Sequence, residues 1–356
     1  MNPEKPTTGD GDISGLACPL PYSDYQRVVL AHGGGGRVMN KLITELFLRH
    51  FSGPKDARGH DGAVFSATGR LAITTDGFTV SPLFFPGGDI GSLAVCGTVN
   101  DLAMCGARPR YLSAGFILEE GLRLVELERI VRSMAETARV AGVTIVTGDT
   151  KVVERGKGDG VYITTTGIGT VDCPQPVHPD RVRAGDAILV SGPLGDHGIA
   201  VMAARERLSF TEPLLSDVAP VAEPVAALFD AGIDVRCLRD PTRGGLVSAL
   251  TEIAGQAGLG ARIRDGQVPV RPQVRDCCEL LGLDPFYVAC EGRFVAVVEP
   301  QHVERALATL RTAGCPDAAH IGEFTVEPIG VLTLHSPFGP VRILDMLSGE
   351  QLPRIC

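Results

Sequence analysis

Residues 70–118, RLAITTDGFTVSPLFFPGGDIGSLAVCGTVNDLAMCGARPRYLSAGFIL, decide the fold class, because their apolar pattern changes period along one short stretch. RLAITTDGF reads as a strand carrying Asp76 at its end, FFPGGD as a Pro/Gly turn, and YLSAGFIL as a second strand. Between them GSLAVCGTVNDLAMCGA reads as a buried helix that carries Asn100 and Asp101. A chain that alternates periods of 2 and 3.6 in this way builds a mixed α+β (α/β) domain.

The same alternation continues on both sides. Upstream, the fold is expected to begin near Val28, where the run Gly33, Gly34, Gly35, Gly36 leads into the helical pattern of residues 38–51. Downstream, residues 122–142 form an amphipathic helix, followed by the β-branched runs VTIVTGDTKVV (143–153) and VYITTTGIGTV (161–171). The proline-rich stretch 172–186 reads as a linker around Pro179. Beyond it come a strand (187–192), a glycine turn PLGDHG (193–198), helical sequence over 218–232, and a Gly244-Gly245 turn that launches a helix. A strand (294–300), a helix (302–314) and a strand (330–335) follow. The expected domains are an N-terminal extension (1–27) without periodicity, a first domain (28–172), a second domain (173–345) and a mobile tail (346–356).

The chain has 356 residues, 44% hydrophobic and 21% charged, a soluble globular composition that excludes collagen, coiled coil and wholesale disorder. A net charge of -9 and a pI near 5.4 argue against nucleic-acid backbones and anionic membranes as partners. The first residues lack the basic and apolar regions of a signal peptide, and no apolar run is long enough to span a bilayer, so a cytoplasmic location is expected. Ten cysteines without any C-x2-C pair fit reduced core thiols better than a disulfide or zinc framework. Cys356 departs from that pattern, because the last residue of a chain is a poor place to bury a thiol.

Four aspartates, Asp76, Asp101, Asp149 and Asp240, each follow an apolar segment. Carboxylates brought to one cleft from separate elements suit a magnesium ion shared with phosphate oxygens, whereas each taken singly would serve as a turn or helix cap. The run Gly33–Gly36 could cradle phosphate or be a flexible turn, and it lacks Walker A spacing. Lys151 falls on the same side of an extended strand as Asp149, as a charge-neutralising group or a surface lysine. Glu291, between apolar stretches, suits a general base of raised pKa, and His197 in GDHG could line a pocket. Cys356 is either an inert end or a thiol carried between two sites.

Taken together, AHGGGG (31–36), residues 74–121, 133–153, VSGPLGDHG (190–198), LRDPTRGGL (238–246), CELLGLDPF (278–286) and the terminal PRIC resemble the HypE family of hydrogenase maturation proteins. The resemblance runs from about Leu30 to Cys356 and departs from the usual pattern at AHGGGG and at Cys290. That family belongs to the PurM-like superfamily of aminoimidazole ribonucleotide and selenophosphate synthetases. The resemblance implies two PurM-like domains, the first pairing its sheet across a homodimer, and ATP-dependent dehydration of a carbamoyl group on the C-terminal cysteine. The thiocarboxamide becomes a thiocyanate that supplies cyanide to the iron of a [NiFe] hydrogenase. On this basis Asp76, Asp101 and Asp240 hold Mg2+. Gly33–Gly36, Asp76, Asn100, Asp101, Asp149 and Thr150 bind ATP, and Cys356, Glu291 and Lys151 are catalytic. The implied partners are the carbamoyltransferase HypF as donor and the HypC–HypD complex as acceptor. A small-molecule kinase of the same superfamily and a non-catalytic scaffold remain the alternatives.

Overall fold

The structure, a computed structural model, describes residues 25–34, 36–51, 63–208, 212–337, 339–347 and 354–356. Most of the N-terminal extension, Gly35, and tail positions 348–353 with Pro353 lie outside the described residues.

The first domain starts with a 3-10 turn, Leu30–Gly33, then α1 (Arg37–Leu42), which passes through a π-helical turn into α2 (Leu48–His50). The deciding stretch forms β1 (Arg70–Phe78), a short hairpin of β2 (Phe84–Phe85) and β3 (Gly88–Asp89), α3 (Ile90–Met104) and β4 (Ala107–Glu119). Asp89 caps α3, accepting from the backbone N–H groups of Gly91 and Ser92. Then come α4 (Leu124–Val140), β5 (Thr144–Val153) and β6 (Val161–Val171). The four long strands form one sheet in the order β1-β6-β4-β5, so β1 and β5 are its opposite edges. Leu93, Val99, Leu112, Leu127 and Ile130 lie in the core that joins this sheet to α3 and α4.

The second domain contains β7 (Ala187–Val190), α5 (Asp196–Glu206), α6 (Ala222–Asp230), β8 (Val235–Arg239), α7 (Gly245–Ala257) and β9 (Gly260–Arg264). It continues with α8 (Pro272–Leu281), β10 (Val295–Val298), α9 (Val303–Thr312), β11 (Ala319–Thr325), β12 (Leu332–His335) and β13 (Arg342–Leu344). Its sheet runs β13-β12-β9-β11-β7-β10-β8.

Two local expectations change. The stretch GDHG is not only a turn: Gly195, at φ 84°, turns the chain, and Asp196, His197 and Gly198 form the first turn of α5. Asp76 lies inside its strand rather than at its end, pairing with Thr165 within β1, while Asp101 sits on the helix α3 as expected. Asp149 pairs with Gly115 inside β5.

Candidate active site

A cavity of about 190 Å³ lies where the edge strand β1, helix α3 and the second domain meet. Asp76, Asp101, Asp240, Glu291 and Cys356 all line it. Thr75 and Gly77, from the other side of β1, line it too, so it opens around the sheet's free edge.

Each acid arrives for a local reason. Asp76 faces α3 because its neighbours Thr75 and Gly77 face outward, and the Gly77 N–H donates to its Oδ1 at 2.8 Å. Gly97 lets β1 close on the helix, since a Cβ there would stand 2.7 Å from the Phe78 ring. One turn further along α3 comes Asp101, whose Oδ2 accepts from the Thr74 hydroxyl at 2.9 Å. Asp240 follows β8, and the turn from it to α7 needs Gly244 and Gly245 at φ 77° and 62°. Glu291 is fixed from behind: its N–H donates to Asp217 Oδ1 at 3.1 Å, and Gly292 presses so close to the Asp217 carbonyl that a Cβ would stand 1.8 Å from it.

These carboxyls crowd one another away from water. Burial, then the charge of Asp101, pushes Asp240 up to about 7. Burial also raises Asp76 and Asp101. Glu291, 3% exposed with Oε1 unpartnered, rises well above the carboxylate range through burial and then the charges of Asp240 and Asp217. The Cys356 thiol lies against Glu291, and burial followed by that carboxylate holds it protonated. Arg243, which the sequence reading did not single out, is the cation among the lining residues. Its signal was the turn DPTRGG that also carries Asp240.

The remaining residues of interest lie elsewhere. Asn100 is buried, and its amide is fully used on the second domain: Nδ2 donates to the Ala219 and Glu291 carbonyls, and Oδ1 accepts from Val221 N–H. It joins the domains rather than facing the cavity. Asp149 and Lys151 share a face of β5, as strand alternation requires, and pair at 2.8 Å, both well exposed. Register places that face in one row with Gly115, Thr164 and Gly77, the outer face of the sheet, and at the edge opposite β1. Thr150 alternates inward and is buried. The glycine loop packs on this same edge, where a Cβ at Gly33 would stand 2.6 Å from Val152 N. Within one chain the expected site is therefore split into two halves, separated by three strand spacings or about 14 Å.

Among the described residues no three His, Cys, Asp or Glu side chains form a ready metal cage, and no helix is long and apolar enough to cross a membrane.

The comparisons with known proteins agree with this architecture. The family model for the AIR synthase related protein, N-terminal domain, matches residues 59–171, and that for the C-terminal domain matches residues 183–335. The carbamoyl dehydratase HypE of Azotobacter vinelandii is 51% identical over 331 residues, 92% of this chain and 97% of its own. A crystal structure of hydrogenase maturation protein HypE in complex with ATP superposes with a TM-score of 0.89 at 49% identity, covering 92% of this chain and 99% of that one. A structure of a HypE–HypF complex matches with a TM-score of 0.76 at 45% identity, over 86% and 99% of the two chains. Two PurM-like domains in the same arrangement are thus shared, across nearly the whole length, with proteins of one kind: this chain belongs to the HypE family of carbamoyl dehydratases.

Proposed function

We propose that this chain is the ATP-dependent carbamoyl dehydratase of [NiFe] hydrogenase maturation, converting a thiocarboxamide on Cys356 to a thiocyanate. The observation that carries this reading is the terminal thiol inside the acid-lined cavity against Glu291, a buried carboxyl with an unpartnered oxygen. A small-molecule kinase has no use for such a thiol.

The residues fit magnesium and a nucleotide. Arg243 is one cation against four crowded carboxyls, whose burial and mutual charge push Asp240 up to about 7, so the cavity suits a further cation, and magnesium takes carboxylate oxygens together with phosphate oxygens rather than a full protein cage. Asp76, Asp101 and Asp240 would hold it. Bound with magnesium, ATP would supply the phosphoryl group that makes the amide oxygen a leaving group. Glu291, whose proton affinity is raised by burial, takes a proton from the carbamoyl nitrogen, and Arg243 offsets negative charge in the cavity.

The split site supports a homodimer. Leu71, Ile73 and Ile117 are exposed on the outer face of the first sheet, an apolar surface suited to a second copy. A two-fold axis along the strands would lay β5 of one copy over β1 of the other. Lys151, Asp149 and the glycine loop would then reach the partner's cavity, completing the nucleotide site and supplying the second proton acceptor or charge.

The cavity that holds Cys356 as a thiol is a poor place for it to attack a carbamoyl donor, which needs a thiolate. The tail therefore alternates: outward for a HypF-type donor and a HypC–HypD acceptor in the cytoplasm, inward for dehydration. The test follows ATP consumption and the mass at Cys356 with a carbamoyl donor and Mg-ATP. Thiocyanate mass on the wild type, with ATP consumption lost in Cys356→Ala, is the expected result. ATP turnover that survives Cys356→Ala would point to the kinase reading instead.

A further inference from the structure

Cys356 enters its cavity without a charged side chain to anchor it. The cavity is lined by Asp76, Asp101, Asp240 and Glu291 with Arg243, and burial holds the Cys356 sulfur as an uncharged thiol. What holds the tail inward therefore acts on its backbone atoms and on the residues before it.

Such a seat is present at the domain junction. Ile355 is buried in the core of the first domain. Its carbonyl lies 3.0 Å from Nε2 of His197, in the first turn of α5. A carbonyl can only accept, so Nε2 carries the proton, and Nδ1 then accepts from the Ser216 hydroxyl at 2.8 Å. Ser216 is fixed in turn: its Oγ accepts from Val218 N–H, and its own N–H donates to the Pro86 carbonyl. Phe85 stands edge-on to the imidazole, at 5.4 Å between centroids. The preceding carbonyl, of Arg354, accepts from Arg205 Nη2 at 2.9 Å and from Ser81 N–H at 3.2 Å, while Arg205 also donates to the Ser81 carbonyl. The Arg354 guanidinium pairs with Asp159. Two successive tail carbonyls are thus held from a helix of the second domain, with Ser81, Pro86 and Phe85 of the first domain closing the junction.

We propose that His197 is the positioning residue of the dehydration, with Arg205 as its aid: by holding the carbonyls of Ile355 and Arg354 it sets the register that brings the Cys356 sulfur to Glu291. The inference rests on the functional reading above, and burial, which lowers the His197 pKa to about 4, keeps the ring in the neutral form described here. A wrong register displaces the carbamoyl group by an ångström or more, and such misplacement costs on the order of 10²-fold in rate.

The test uses the full chain, carbamoylated at Cys356, in single turnover with Mg-ATP. His197→Leu should slow thiocyanate formation by about 10²-fold while ATP affinity and carbamoylation by the donor stay near wild type. His197→Gln, which keeps an N–H near the place of Nε2, should recover most of that loss. Without any carbamoyl chemistry, carboxypeptidase should release Cys356 faster from the Leu variant than from the wild type. If His197→Leu does not fold, Arg205→Gln, on the half-exposed part of α5, should show the same two effects at smaller size. A folded His197→Leu chain that converts its carbamoyl group at the wild-type rate, or equal carboxypeptidase release in all variants, overturns the seat. Altered release without thiocyanate in any chain, wild type included, would leave the seat standing and overturn the functional reading instead.

Discussion

At Asp240 one carboxyl group couples folding to ligand binding. In the folded chain it holds its proton more tightly than in the unfolded chain, where its pKa is near 3.8, so its contribution favours folding at low pH. That contribution is lost as pH rises through about 7. Asp196, raised to about 6 by burial, acts with the same sign. Burial lowers His197 to about 4, which acts with the opposite sign in this window, so the Asp240 effect is read as a difference: between pH 5.5 and 7.5 the ligand-free wild type should lose more stability than Asp240→Asn. Asp240→Asn, which removes a buried charge without changing shape, should raise the melting temperature at pH 7.5, by a stabilisation on the order of 2 kcal/mol. The same variant should bind Mg-ATP more weakly, because a metal-directed carboxylate is gone. Calorimetric melting at the two pH values, followed by nucleotide titration, checks both halves; an Asp240→Asn chain less stable than the wild type at pH 7.5 would contradict the charge argument.

The contact between β1 and α3 is the element-scale device of the site. Asp76 and Asp101 share a cavity only because strand and helix approach closely at Gly97, where the Phe78 ring fills the space a side chain would take. Gly97→Ala should improve helix propensity by roughly 1 kcal/mol. Overpacking against Phe78, at about 1–3 kcal/mol, should outweigh that gain. The expected outcome is a lower melting temperature together with weaker Mg-ATP binding, because β1 moves off the helix and carries Asp76 with it. Thermal melts and nucleotide titration of the one variant decide whether the helix or the packing wins.

For the whole molecule, the question is whether the two halves of the site work within one chain or across two. Light scattering should report a dimer, and Ile73→Glu, on the exposed apolar face, should shift it to monomer with loss of activity. Lys151→Ala and Glu291→Gln should each be inactive alone. Mixed and allowed to exchange subunits, they should recover about a quarter of wild-type activity, because half the dimers are then mixed and one of their two sites has both residues intact. No recovery after proven exchange would place Lys151 and Glu291 in the same chain's site.

Much of this was legible in the sequence, because what decides it is local. Alternation along RLAITTDGF and VYITTTGIGTV specifies strands, the apolar run between FFPGGD and YLSAGFIL specifies a buried helix, and alternation alone puts Asp149 and Lys151 on one face. Among the elements that the sequence reading left unassigned, β9 is a short strand and β11 carries a glycine that weakens its strand pattern, whereas α8 had a local signal in Val274, Cys277 and Cys278 at helical spacing after Pro272. The glycines at 195 and 198 disguised the start of α5, because a turn and a helix entered through a left-handed glycine look alike locally. The register of β1-β6-β4-β5 decided that Asp149, Lys151 and the glycine loop lie at the edge opposite Asp76, and the domain contact gave the Asn100 amide to the second domain's backbone. Side-chain periodicity says which residues share a face, but only tertiary packing says what that face meets. Asp240, Glu291 and Cys356 come from separate segments, so their shared cavity, and the proton affinities that follow from crowding in it, exist only once both domains and the tail have closed around it.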